Sequence, residues 1–452
     1  MISPAVAAGH PATADAGAEI LADGGTAADA AVAACLASCV AETVMTGLLG
    51  GGHAIYFDAD RGTTRNLDCF VSVPSGNGAL MESLEVPFGE ELVHYAIGAS
   101  SCAVPGVPAG LDALWRAHGK LSWARLVEPA LRLARDGVAM PAAHVACLAM
   151  LAPVMTMREG RALYAPSGAL ISEGEVLRQP GLVRALELVR DEGAASVYSG
   201  TIARSLLGLM DERSGAITAT DLEGYAPVWT EPAEVGFAGR RVLTRRGLSG
   251  VPATLELFDP AGGKAALLAA LDAVPTTDGH TTNLTVVDAS GSACVLTTSL
   301  GLGSGDWLPG LDLHLNSMLG EADLIREPLR AGARMASMIA PTLAFARDGG
   351  LELALGAAGG TRLRTALLGV LGAVLHEGAE PQAAIDRPRF HPAGDVVNAE
   401  PDVDAEWLDT LEQHGRTVRR WPGRHHYFGG VSALGRLGGG ADPRRSGAVR
   451  SS

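Results

Sequence analysis

The chain has 452 residues, 47% hydrophobic and 19% charged, enough apolar material for one large layered domain or two to three smaller ones. With 35 basic against 50 acidic residues the net charge is −15, which repels phosphate backbones. No basic run is interleaved with aromatics, so nucleic acid is excluded as a partner.

Apolar periodicity persists through the 58 glycines and the abundant alanines, which marks packed structure rather than disorder. The six cysteines (Cys35, Cys39, Cys69, Cys102, Cys147, Cys294) are scattered without a CxxC pair, so no disulfide framework is expected. Residues 1–17 have neither a basic n-region nor an apolar h-region, so no secretory signal is read and a cytoplasmic location is expected. The longest apolar stretch, Ala27 to Val40, carries Asp29 and is too short to cross a bilayer, so no membrane partner is expected.

In chain order, the first fifty residues read as two helices. Ala12 to Ala22 comes first, then the turn Asp23-Gly24-Gly25, then Thr26 as N-cap of a helix through about Ala41. The glycine cluster from Gly47 to Gly52 leads into an alternating strand, His53 to Phe57. Helical patterning follows from Gly106 to about Ala139 and from Ala142 to Tyr225, and strands resume over Glu234 to Thr244. Gly247 to His280 is a connection with one short helical run, Lys264 to Ala273, ending in a loop by composition. A hairpin comes next: Thr282 to Asp288, a turn over Ala289-Ser290-Gly291-Ser292, and a return over Ala293 to Leu300. A second hairpin joins Pro341–Ala346 to Leu351–Leu355, and Gly359-Gly360 opens a helix from Thr361 to Leu375. Strands grouped beside helices without a βαβ rhythm point to a layered α+β fold.

Chemistry concentrates at His280-Thr281-Thr282. A threonine hydroxyl needs a base before it can attack. If the chain is cut before Thr281, the new α-amine, with an ordinary pKa of roughly 7.7–8.0, can serve as that base. This arrangement needs no Ser/His/Asp set, and the sequence has no GxSxG elbow.

Several ordered motifs give that threonine its context. They are Gly106-Val107-Pro108-Ala109-Gly110-Leu111 with Leu126-Val127-Glu128-Pro129-Ala130, Thr281 to Asp288, Arg334 to Thr342, Gly356 to Arg362, and Ala441-Asp442-Pro443-Arg444-Arg445. Together they resemble the γ-glutamyltranspeptidase family of N-terminal nucleophile hydrolases. The resemblance implies a four-layer αββα sandwich, cut between His280 and Thr281 into a large subunit (1–280) and a small subunit (281–452) that stay together as a heterodimer. It implies Thr281 as nucleophile, Gly359 and Gly360 as the oxyanion hole, and Ser299 as the hydroxyl that supports the nucleophile, with no cofactor or metal.

Departures cluster where the family grips its amino-acid substrate. Phe70 stands at the position of the arginine that clamps the α-carboxylate, and a ring cannot make that bidentate contact. Gly301 replaces an asparagine, while Met318 and Glu321 align with the glutamine and aspartate that hold the α-amino group. Of two adjacent serines, Ser337 remains and the second is Met338. A more apolar pocket for a different small molecule is expected. The span from Gly250 to Thr281 is also short for the family. Compact members of this kind are similar to the homologues of actinobacterial antibiotic pathways that make alkylproline units, which implies hydrolysis of a C–C bond. A γ-glutamyl hydrolase or other amidase is the alternative, and an inactive relative kept as a scaffold is the rival. Intact Thr281, Ser299 and Gly359-Gly360 weigh against the rival.

Other motifs fail on context. Gly301-Leu302-Gly303-Ser304-Gly305 leaves a strand without opening a helix, and Gly263-Lys264 is followed by Ala265 where a phosphate loop needs Ser or Thr. His425-His426 has no carboxylate at helical spacing and reads as packing.

The missing clamp has a measurable consequence. γ-Glutamyl-p-nitroanilide should release p-nitroaniline no faster with the protein than in buffer. Robust release would show that Phe70 does not remove glutamyl recognition.

Overall fold

Every residue of the alanine-rich helix Ala27–Ala41 is buried, so this helix is a core element and has no solvent face. Its start is set locally: Thr26 accepts from the Asp29 N–H and Asp29 accepts from the Thr26 N–H, a capping box. The computed structural model describes residues 1–88, 91–274, 281–325 and 327–452, and it builds two large sheets, one of which this helix covers.

Numbered in chain order, the strands of these sheets are β1 (Ala5–Ala8), β2 (Gly51–Asp58), β3 (Thr63–Cys69), β4 (Val228–Thr230), β5 (Ala233–Phe237), β6 (Arg240–Thr244), β7 (Thr282–Val287), β8 (Ala293–Ser299), β9 (Thr342–Phe345), β10 (Leu351–Ala358), β11 (Gly430–Gly435), β12 (Gly438–Ala441) and β13 (Ala448–Ser451). One sheet runs β13-β1-β7-β8-β2-β3-β4 and the other β12-β11-β10-β9-β6-β5. All neighbours in both are antiparallel.

The sheets face each other, β7 and β8 lying on β10 and β7 also on β11. Ala7, Ile55, Val287, Val295, Leu343, Phe345 and Leu434 fill the space between them. Helices α1 (Pro11–Ala22) and α2 (Ala27–Ala41) cover the seven-stranded sheet through β1, β7 and β8. Helix α3 (Arg362–Leu375) covers the other sheet through β10 and β11. This mixture of helices and sheets is the expected α+β class.

Both expected hairpins are present as β7–β8 and β9–β10. Asp288 anchors the first turn: its carboxylate accepts from the N–H groups of Ser290 and Ser292 at 2.9 and 3.1 Å, and from Ala27 N–H at 2.8 Å. The hairpin is thereby tied to the first turn of α2. The connection before the hairpin holds two helices, Val251–Leu257 and Gly263–Ala273, where one was expected. Pro252 opens the extra one, a position where its missing N–H costs nothing. His280 and most of the expected loop before Thr281 lie outside the described residues. All six cysteines are free and buried, with Cys35 and Cys39 inside α2. Among the described residues, no helix is long and apolar enough to cross a membrane.

Three buried histidines give the fold a pH dependence. Burial lowers His10 from 6.5 to about 4, and His144 and His314 to about 3, with nearby His10 and Arg445 charges also disfavouring protonation of His144. Below pH 6.5 the unfolded chain takes up protons at these positions while the folded chain does not. Stability should therefore fall as pH drops from about 6.5 toward 3, each histidine weighing up to about 1.4 kcal/mol per pH unit. Thermal melts between pH 7 and 4 measure this, and a Tm that is flat across that window would contradict it.

Candidate functional site

Strand alternation decides where the two threonines point. Thr282, Leu284 and Val286 face α2, whereas Asn283, Thr285 and Val287 face the six-stranded sheet. Thr281, one residue before β7, falls on the sheet side. Its Oγ1 accepts a hydrogen bond from the Gly359 N–H at 3.0 Å. Gly359 ends β10 with φ +125°, a region open to glycine, and a β-carbon there would stand 2.6 Å from Gly429 Cα. Thr281 thus meets Gly359 through a backbone shape that a side chain would prevent.

Pairing in the β7–β8 hairpin matches Thr282 with Thr298, and one further step sets Thr281 against Ser299. The Ser299 hydroxyl accepts from the Gly301 N–H at 2.9 Å. Gly301 has φ +67°, and a β-carbon on it would fall 2.0 Å from Glu321 Oε1, so its bareness makes room for that carboxylate.

Thr281, Ser299, Gly360, Phe70, Met318, Glu321, Ser337 and Met338 line one cavity, joined by Leu324, Ile339 and Leu363. Its volume is about 20 Å³, room for little more than one water molecule. Phe70 and Met318 are 2% and 1% exposed, so the wall is dry and mostly apolar. Leu324 also lines a neighbouring cavity of about 380 Å³ that holds Glu327, Arg330 and Arg334. A larger cleft, about 530 Å³, lies at the far end of β7 around Tyr56, His118 and Asp288, and no predicted site residue lines it. The chemistry therefore favours the small cavity over the large one.

Phe70 is fixed from behind. Its ring stacks on buried His53 at 5.4 Å, and its carbonyl accepts from Arg334 Nη1 and Tyr225 Oη at 2.6 and 2.7 Å. Arg245, brought down to about 10 by burial, donates to the carbonyl of Ser337 at 3.1 Å. The cations nearest Phe70 thus bind protein carbonyls. Burial also keeps His53 neutral, with Arg245 and Arg334 adding to the effect.

Sequence reasoning missed the residue that gathers this wall. Asn316 is fully buried; it accepts from Ala103 and Met318 N–H at 3.0 and 3.2 Å and donates to the carbonyls of Leu49 and Ala103 at 2.8 Å each. A lone asparagine carries no signal of this in sequence. The pair His425-His426 packs against Trp421 and itself, as its context suggested.

Replacing Gly359 with alanine should displace the turn from Thr281. We expect a loss of about 1–3 kcal/mol in stability and a severe loss of any reaction at Thr281. Calorimetry and a cleavage time course check this; wild-type behaviour of both would mean that the turn tolerates a side chain.

The chain matches the gamma-glutamyltranspeptidase family over residues 13–259 and 263–452. It is 28% identical over 254 residues to glutathione hydrolase proenzyme 2 of Schizosaccharomyces pombe (strain 972 / ATCC 24843), covering 56% of this chain and 40% of that protein. The chain thus spans less than half the length of that relative. It is 27% identical over 509 residues to acylase ACY 1 proenzyme of Pseudomonas sp. (strain V22), covering 95% of this chain and 89% of that one. Among solved structures, cephalosporin acylase from Bacillus halodurans shares the fold with a TM-score of 0.85 at 22% identity, over 99% of this chain and 96% of the other. A family match that takes in both the strand after Thr281 and the Gly359-Gly360 turn leaves one conclusion: this chain belongs to the gamma-glutamyltranspeptidase family.

Proposed function

We propose that the chain is an N-terminal nucleophile hydrolase with a four-layer αββα architecture, cut between His280 and Thr281, in which Thr281 attacks a small-molecule carbonyl. The Gly359 N–H held 3.0 Å from Thr281 Oγ1 is the observation that carries this reading. The free α-amine of Thr281 takes the hydroxyl proton as Oγ1 bonds to the carbonyl carbon. Backbone N–H groups of Gly359 and Gly360 stabilise the charge that develops on the carbonyl oxygen, a contribution of about 2.7–4 kcal/mol where such donors have been removed elsewhere. Ser299 supports the nucleophile from the neighbouring strand.

The bond broken is a C–C bond beside a carbonyl, the reading that the likeness to alkylproline-pathway homologues favours. Its leaving carbon takes the proton from the α-ammonium, and water then hydrolyses the acyl-Thr281 ester to release an acid. The acyl group is compact, because the wall of Phe70, Met318, Leu324, Met338, Ile339 and Leu363 offers apolar contact and little space. Ser337 and Glu321 supply the polar contacts within that wall, and Gly301 leaves room for Glu321. Amide hydrolysis is the second reading, favoured by relatives named as acylases.

Purified protein should run as two fragments, residues 1–280 and 281–452, with the smaller one beginning at Thr281 by N-terminal sequencing. Thr281→Ala should give a single full-length band and no turnover. Cleavage elsewhere, or turnover by Thr281→Ala, would remove Thr281 from the mechanism.

A further inference from the structure

On the helix side of β7, a group of buried polar side chains lies outside every step above. Glu42, which ends α2, is 1% exposed, and its carboxylate accepts from Thr13 Oγ1 at 2.7 Å and from Thr282 Oγ1. Thr13 belongs to α1 and Thr282 immediately follows Thr281. Burial pushes the Glu42 carboxyl up, while the two hydroxyls and the charge of Arg445 pull it back.

Arg445 is 3% exposed and unlike its neighbours in the tail. Arg444 has Glu400 and Asp442 as partners, and Arg389 has Asp442. Arg445 Nη1 meets only Met45 Sδ, at 3.0 Å, and its Nε has no hydrogen-bond partner among the described residues. Its Nη2 would stand 3.5 Å from a β-carbon built on Gly359, so the guanidinium lies alongside the turn that holds Thr281 Oγ1. Cys147 and His144 bear on it from the helical side, Arg362 from the start of α3, and Asp442 and His425 from the tail.

We infer that Glu42 is a positioning residue for Thr281, holding Thr282 from the helix side of β7 while Arg445 lies against the glycine turn. Glu42 fixes Thr282 by a charge-assisted hydrogen bond, and Arg445 backs the glycine turn. Neither group touches the reacting atoms. This inference rests on the assignment of Thr281 as nucleophile.

The test uses the full-length protein, its cleaved form, and p-nitrophenyl butyrate as an activated acyl donor. Wild-type protein should give an acyl adduct on Thr281 by mass spectrometry; without it, both the nucleophile assignment and this inference fall. Given the adduct, Glu42→Gln and Thr282→Val should each lower kcat about 10- to 100-fold, with KM nearly unchanged and Tm near that of wild type. Self-cleavage should slow in parallel. The double variant should be no worse than the poorer single, because both act through one path. Wild-type kcat in folded Glu42→Gln, or losses that simply add, would overturn the inference. Should Glu42→Gln fail to fold, Thr282→Val decides alone: an unchanged kcat in it overturns the proposal.

Discussion

Alternation along a β-strand sends consecutive side chains to opposite faces, and the site depends on which way Thr281 and Thr282 fall. Thr281 must lie toward the six-stranded sheet to meet Gly359, and Thr282 toward α2 to meet Glu42. A slip of one residue would exchange them. Polar contacts between the sheets hold the register: Thr285 Oγ1 donates to the Ser432 carbonyl at 2.9 Å, and Ser432 Oγ donates to the Asn283 carbonyl at 3.3 Å. Within the hairpin, Thr297 Oγ1 donates to Asn283 Oδ1 at 2.6 Å. A slipped strand would leave these buried groups unpaired, at about 1–3 kcal/mol each.

The same logic explains why the site can be apolar without losing shape. Phe70 is apolar, yet guanidinium groups lie close by, with Arg334 on the Phe70 carbonyl and Arg245 on the Ser337 carbonyl. Charge that could meet a substrate carboxylate instead holds the backbone of the wall. An Arg at position 70 would enter a region that already holds Arg245, Arg334 and Asp68, beside a fully buried neutral histidine.

Elements with a clear period were legible in the sequence. The β7–β8 hairpin alternates around a Ser-Gly turn, α2 follows a capping box, and α3 starts at Gly359-Gly360. β1 was not read, because Ala5 to Ala8 is buried throughout and has no polar positions to mark a period. The strands Glu82–Phe88 and Glu91–Ile97, which pair only with each other, were also missed. Eight of the predicted residues meet in one cavity, because motifs preserve which residue stands beside which. Asn316 and Glu42 escaped notice, and Arg445 was read only as part of a tail motif, because their partners lie far away in sequence, Glu42 being 240 positions from Thr282. Their identity as site-builders is a property of burial, which single residue types do not announce.

Strand order also bears on what a cut before Thr281 would do. In the seven-stranded sheet, β1 from the start of the chain lies between β7 and β13, and β8 lies against β2. In the other sheet, β9 pairs with β6. Each sheet is therefore made of strands from both sides of the cut, and separating the pieces would break backbone ladders in both. The Asp442–Arg389 and Glu400–Arg444 pairs fasten the tail within the later piece, just before β13 crosses to pair with β1. A cut at this point frees one amino terminus beside Gly359 while leaving the surrounding ladders intact. The new charge then arises in a site whose geometry was fixed before the bond was broken, which is the condition a self-contained nucleophile and base requires.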